Sequence, residues 1–299
     1  MSDLEMSNIN RNRFMVNLKK IAVIVMTLAV VFVMTDMSGI KASALSSAKA
    51  AVPKFAAEKT YESSYTHPYN KQIDTITLHW GKTKGANRYQ VYVKGGKYKN
   101  WTRYCTTTNN VVSVKKLSRA TEYKFKVRAV YSGNTYSSFS PVQTIRTARM
   151  NYDKAGWEAM CRIVYHEVGR INDNMWDKPI VYVSDCVVNR YVSAKYCNDP
   201  LWTPFYKNYN NIQSIIYQSG GFMSDYGLTR DGCKYSNVAD KCKVAVWGAV
   251  YGTPSYKGIK NDYSVYYWCN RSYYTSSNKI AYSFKIPWGY FSIWRTYWG

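Results

Sequence analysis

Residues 150–299 hold two glutamates, Glu158 and Glu167, nine aspartates and a single histidine, His166. A carboxyl group can act as a general acid or base where its environment favours keeping a proton near neutral pH. Wound at the ~100° per residue of an α-helix, the segment Gly156–Val168 puts Trp157, Met160, Cys161, Val164, Tyr165 and Val168 on one apolar face. Glu158, Arg162, His166 and Arg170 fall opposite. Glu167 lies about 20° from Met160, at the edge of the apolar stripe. A carboxylate at such an edge loses solvent, and lost solvent favours the protonated form. That form can donate to the leaving oxygen of a glycosidic bond. Zinc-dependent or Cys–His chemistry is poorly served, because His166 is the domain's one histidine and projects away from Cys161. No metal or cofactor is expected.

Three further elements must position this carboxylate. A helix is expected after Asp177 and Pro179, with Ile180, Val183, Val187, Tyr191 and Ala194 at helical spacing. An apolar-to-glycine turn runs from Ile215 to Phe222. Another helix covers Val238 to Tyr251 and is stopped by Gly252 and Pro254. Tyr266, Tyr267 and Trp268, then Trp288 to Phe291, make an aromatic-rich tail whose loop aromatics could stack on sugar faces, whereas Trp157, Tyr165, Tyr191 and Trp247 read as core.

The rest of the 299-residue chain has a different character. Its formal net charge is +23, and residues 45–149 carry most of it, with 19 Lys/Arg against 4 Asp/Glu. Such an excess calls for an anionic partner or surroundings. At the N-terminus, Arg11, Arg13, Lys19 and Lys20 precede an apolar run from Ile21 to Met34, followed by Ala42-Ser43-Ala44. This reads as a secretory signal peptide over 1–44, too short for a comfortable span, with membrane contact only through that segment if it stays uncleaved. Secretion disfavours nucleic acid as partner and permits one or two disulfides among the seven cysteines. Residues 45–70 read as a flexible lead-in.

From 71 to 148 the alternation of apolar and polar residues predicts short strands: Ile76–Trp80, Tyr89–Val93, Val112–Val114, Tyr123–Ala129 and Val142–Thr147. Leu117 with Thr121-Glu122-Tyr123 predicts a tyrosine corner. Leu78-x-Trp80, Ala86-x-x-Tyr89-x-Val91, Leu117-x-x-x-Thr121-x-Tyr123-x-Phe125-x-Val127-x-Ala129 and Ser138-x-Ser140 together resemble a fibronectin type III domain. The resemblance implies an Ig-like all-β sandwich with a binding or spacer role.

In residues 150–299, Arg162-Ile163-Val164-Tyr165-His166-Glu167, Asp185-Cys186-Val187-Val188-Asn189-Arg190 and Tyr217-Gln218-x-Gly220-x-Phe222 resemble the SleB-like cell wall hydrolases, the family of spore-cortex-lytic enzymes. Val265-Tyr266-Tyr267-x-x-Asn270 matches more loosely. The resemblance implies a mainly α, lysozyme-related catalytic domain that cleaves peptidoglycan glycan strands, with Glu167 as catalytic acid/base. It places Gln218, Gly220 and Phe222 in a glycan cleft, Asn189 at a helix end, and Tyr217, Tyr266 and Tyr267 among the substrate-binding residues. Two departures stand out. The family's second glutamate is absent from Glu167-Val168-Gly169-Arg170-Ile171, and its His-x-Phe-Tyr tail appears as Tyr290-Phe291-Ser292. The expectation is a secreted, wall-associated lytic transglycosylase. A hydrolase using Asp173, Asp177 or Asp185 as second carboxylate is one alternative, and a non-catalytic wall-binding or adhesion protein the other. Anionic wall polymers are the expected partners of the basic segment.

Overall fold

The computed structural model describes residues 50–58, 64–207, 209, 211–253 and 256–296. The expected signal peptide lies outside them. Among the described residues no helix is long and apolar enough to cross a membrane.

An all-β, fibronectin type III-like region precedes a helical region. The first holds β1 (Ile76–His79), β2 (Arg88–Gly95), β3 (Tyr98–Thr107), β4 (Val111–Val114), β5 (Glu122–Val130) and β6 (Gln143–Arg146). β1 pairs with β4, while β3-β2-β5-β6 form the second sheet. Alternation drives both. Ile76, Leu78, Val91, Val93, Tyr123, Phe125 and Val127 point inward and are fully buried, and the residues between them face solvent. The Tyr123 hydroxyl accepts the Ser118 amide at 2.8 Å, closing the expected tyrosine corner. β3, the longest strand, escaped the alternation test because Tyr98–Thr107 carries few aliphatic residues and is largely exposed.

Residues 50–58 and 64–70 differ from the flexible lead-in expected of them. Phe55 bridges Trp80, the Gly81 amide donates to the Lys54 carbonyl, and the Thr77 amide donates to the Thr66 carbonyl. The segment thus satisfies the open edge of β1, which would otherwise leave backbone groups unpaired. His67 is buried against Trp247 and Tyr251 of the helical region.

The helical region holds α1 (Lys154–Val164), a π-helical turn (Tyr165–Gly169), α2 (Asp177–Tyr196), α3 (Trp202–Tyr206), α4 (Ile212–Tyr217), α5 (Asp225–Arg230) and α6 (Asp240–Tyr251). β7 (Tyr267–Arg271), β8 (Ile280–Ile286) and β9 (Gly289–Trp294) form a sheet ordered β7-β9-β8. The helix expected after Asp177 is α2, the most buried element, and the one expected to reach Tyr251 is α6, closed by Gly252 in the left-handed conformation (φ 65°). The aromatic tail is this three-stranded sheet, so the mainly helical region also carries β structure. Its alternation went unread because aromatic residues occupy both faces.

Arg149 joins the pieces. Buried at the boundary, it donates to the Ala249 carbonyl and to Asn189 Oδ1, and Asn189 Nδ2 in turn donates to the Asp262 and Val265 carbonyls. Asn189 therefore sits within α2 rather than at a helix end, and it ties that helix to the loop before β7. Cys105, Cys186, Cys197, Cys233, Cys242 and Cys269 are free thiols.

Candidate active site

Glu167 stands on the π turn that continues α1. Asp153 starts the helix by accepting the Gly156 amide at 2.7 Å. After Val164 the backbone widens by one residue, a feature often associated with functional sites. The turn rests on α6 at Gly169, where any Cβ would collide with Cys242 Sγ and the Tyr165 ring. Neighbouring residues on an α-helix do not face each other. The wider turn narrows the angle between them, and His166 Nδ1 lies 3.4 Å from Glu167 Oε1. An unbroken α-helix would instead put His166 on the far polar side, away from Glu167.

The Glu167 side chain is 27% exposed. Its Oε2 accepts from Trp268 Nε1 at 3.0 Å. On the other side, His166 Nε2 is 3.1 Å from Asp231 Oδ2, and Arg230 Nε donates to Asp231 Oδ1 at 3.1 Å. The hydrogen bond to Glu167 chiefly, then that to Asp231, raises the His166 pKa against the opposing effect of burial. The imidazole between Glu167 and Asp231 thus holds its proton more tightly than a free histidine does. Asp231 is held low by its hydrogen bonds to Arg230 and His166.

An aromatic wall stands beside the carboxylate. Trp268, on β7, stacks on Phe222 at 5.5 Å with planes 11° apart. Phe222 follows Gly220 (φ 74°) and Gly221, and its amide donates to the Ile216 carbonyl. The Arg190 guanidinium lies 4.4 Å from the Phe222 ring centroid and 4.6 Å from that of Tyr267, geometry for cation–π attraction. Arg190 Nε donates to the Tyr266 carbonyl at 2.7 Å.

Of the residues expected at the site, Glu167, Phe222 and Tyr267 therefore belong to one connected cluster, with Gly220 shaping its loop. The remaining three do other work. The Tyr217 hydroxyl accepts from Arg162 Nη1 at 3.0 Å, and burial pushes its pKa up to about 12. Tyr266 stacks on Trp202 at 5.5 Å, with its hydroxyl 3.1 Å from Ser193 Oγ. Gln218 closes the turn through its carbonyl, which accepts the Gly221 amide at 3.0 Å.

The second-carboxylate candidates are engaged elsewhere. Asp185 is fully buried, accepts Asn261 Nδ2 and the Asp262 amide at 2.7 Å each, and is pushed up to about 8 by burial. Asp177 pairs with Lys257 at 2.7 Å, and Asp173 caps the Met175 amide at 2.9 Å. The carboxylate that does couple to Glu167 is Asp231, which sequence reasoning missed along with the roles of His166, Trp268 and Arg190. Trp268 was legible as a loop aromatic able to stack on sugar but not as the donor to Glu167, and Arg190 only as the last residue of the Asp185–Arg190 motif. Among the described residues no group of three or more His, Cys, Asp or Glu is arranged to hold a metal ion.

No protein-family model matches the chain, and no curated protein does. Similar solved structures include a Fn3-like protein from Clostridium thermocellum, at 21% identity, covering 32% of this chain and 90% of that one with a TM-score of 0.25. Another is the fibronectin type-III domain of human fibronectin type III domain containing protein 3, at 21% identity, covering 33% and 85% with a TM-score of 0.26. For the sandwich, its strand pairing and tyrosine corner carry the fold assignment.

Proposed function

We propose that the chain is a secreted peptidoglycan-cleaving enzyme whose helical region acts on the bond between N-acetylmuramic acid and N-acetylglucosamine, with Glu167 as acid/base. The supporting observation is the partly exposed Glu167 carboxyl, held by Trp268 and His166 beside the Trp268–Phe222 wall. Protonated Glu167 donates to the glycosidic oxygen as the C1–O bond breaks. The resulting carboxylate then takes the proton from the muramyl C6 hydroxyl as that oxygen bonds to C1. The products are a 1,6-anhydro end and a free sugar hydroxyl, with no water consumed. Trp268 and His166 orient the carboxyl, and aromatic faces can pack on the sugar rings. Engagement of Asp173, Asp177 and Asp185 elsewhere, and of both Asp231 oxygens by His166 and Arg230, favours this lytic transglycosylase route over hydrolysis, which requires a second carboxylate free to activate water.

Replacing Glu167 by Gln tests the assignment. Release of soluble fragments from purified peptidoglycan should fall by about 10³-fold, in the range for loss of a general acid/base. Undiminished release would overturn it. A wall-binding protein without activity is the second reading, favoured by the missing second glutamate. It predicts that wild type and Glu167→Gln both release nothing while still sedimenting with walls.

A further inference from the structure

The outer face of the β3-β2-β5-β6 sheet breaks a local rule. Its four strands carry eight Lys/Arg against one acid, Glu122. Lys94 and Lys124 lie directly opposite each other in the β2–β5 register, a like-charge pair that destabilises a sheet. Among the described residues neither forms an ion pair with an acid. Farther along the face, Lys126 sits 4.1 Å from the Phe139 ring and 4.4 Å from Trp101, and Arg128 sits 4.1 Å from Tyr136. Aromatic rings hold these cations in place without neutralising them. A violation with no compensation inside the fold points to a role outside it.

We propose that this face binds a linear polyol- or sugar-phosphate polymer, one phosphodiester against each outward cation of β5. Lys124, Lys126 and Arg128 alternate along the strand, so the backbone positions that carry successive charges are about 6.7 Å apart. A polyol-phosphate repeat can match that spacing, whereas a uronate on every second sugar cannot. The central rings each have a cation over one face, which disfavours them as platforms for stacked nucleic-acid bases. The presence of such a polymer in the surrounding wall rests on the function proposed above; the binding itself does not.

The test is titration of the full chain with soluble poly(glycerol phosphate) over a salt series. Wild type should bind, with affinity falling linearly in log–log form as salt rises. Lys94→Gln/Lys124→Gln should bind roughly tenfold more weakly with a shallower salt slope, while its melting temperature stays equal or rises because the like-charge pair is gone. Lys234→Gln/Lys285→Gln removes the same charge from exposed positions of the helical region and should bind as wild type does. Hyaluronate should bind at least tenfold more weakly than the polyphosphate. Wild-type affinity in the first variant, an equal loss in the second, equal affinity for hyaluronate, or tighter binding of poly(U) RNA would each overturn the proposal. Fragment release from peptidoglycan stripped of anionic polymer should be unchanged in Lys94→Gln/Lys124→Gln, so failure here is distinguishable from failure of the enzymatic reading.

Discussion

The sandwich and the helical region use their polar groups in opposite ways. In the sandwich the core is apolar, and an outer sheet face displays a surplus of cations, of which Lys94 and Lys124 pair with no acid among the described residues. In the helical region charge is drawn inward: Asp185, Asn189 and Arg149 are buried and hydrogen-bonded, and Glu167, His166 and Asp231 form a half-buried chain. A sheet face with surplus charge is suited to attracting a partner. Half-buried titratable groups held by specific donors are suited to chemistry.

Four changes sharpen that contrast, beginning with the largest. Gly169→Ala would press a methyl group into Cys242 and Tyr165, separating the π turn from α6. It should cost about 3 kcal/mol in denaturant unfolding, as overpacking does. A loss below about 0.5 kcal/mol would mean that the turn does not depend on this contact.

His67 and His166 should respond to pH with opposite signs. Burial lowers the His67 pKa to about 3. The unfolded chain then binds the proton more readily, so stability is present above about pH 6.5 and is lost as pH falls toward 3. Relative to His67→Phe, wild type should lose about 2 kcal/mol between pH 7 and pH 5 in thermal melts. His166, raised by its carboxylate neighbours, contributes stability below about pH 6.5 that is lost as pH rises through its folded value. A constant difference between wild type and His67→Phe across this range would contradict its burial.

Trp268→Phe keeps an aromatic ring but removes the donor to Glu167 Oε2. Fragment release should fall about tenfold, the scale of one lost hydrogen bond to a charged group. An unchanged rate would separate Trp268 from the chemistry. The smallest effect is expected in the sandwich, where Tyr123→Phe removes the corner hydrogen bond to the Ser118 amide. It should cost about 1 kcal/mol in unfolding, with fragment release unaffected. A loss of fragment release would mean that the sandwich supports the site directly.

Legibility from sequence followed the same division. Alternation exposed β1, β2, β4, β5 and β6 and the tyrosine corner, because each strand buries one face and wets the other. It missed β3, which has little core to bury, and β7–β9, whose aromatic residues line both faces. In the helical region the 3.6-residue period located α2 and α6, and the stripe edge singled out Glu167. It could not reveal His166, Trp268, Arg190 or Asp231 as its surroundings. Trp268 is 101 residues from Glu167 in the chain, and the π turn that aims His166 has no spacing of its own in a helical wheel. Small and polar side chains suggest flexibility in 50–58 and 64–70, yet backbone pairing with β1 gives these residues their order.

The most direct test of the central claim is mass spectrometry of the soluble fragments released from purified peptidoglycan by the full chain and by Glu167→Gln. The account predicts muropeptides ending in 1,6-anhydro-muramic acid from the wild type and none from the variant. Reducing muramic ends would contradict the single-carboxylate route, and equal release by both proteins would contradict the role of Glu167 itself.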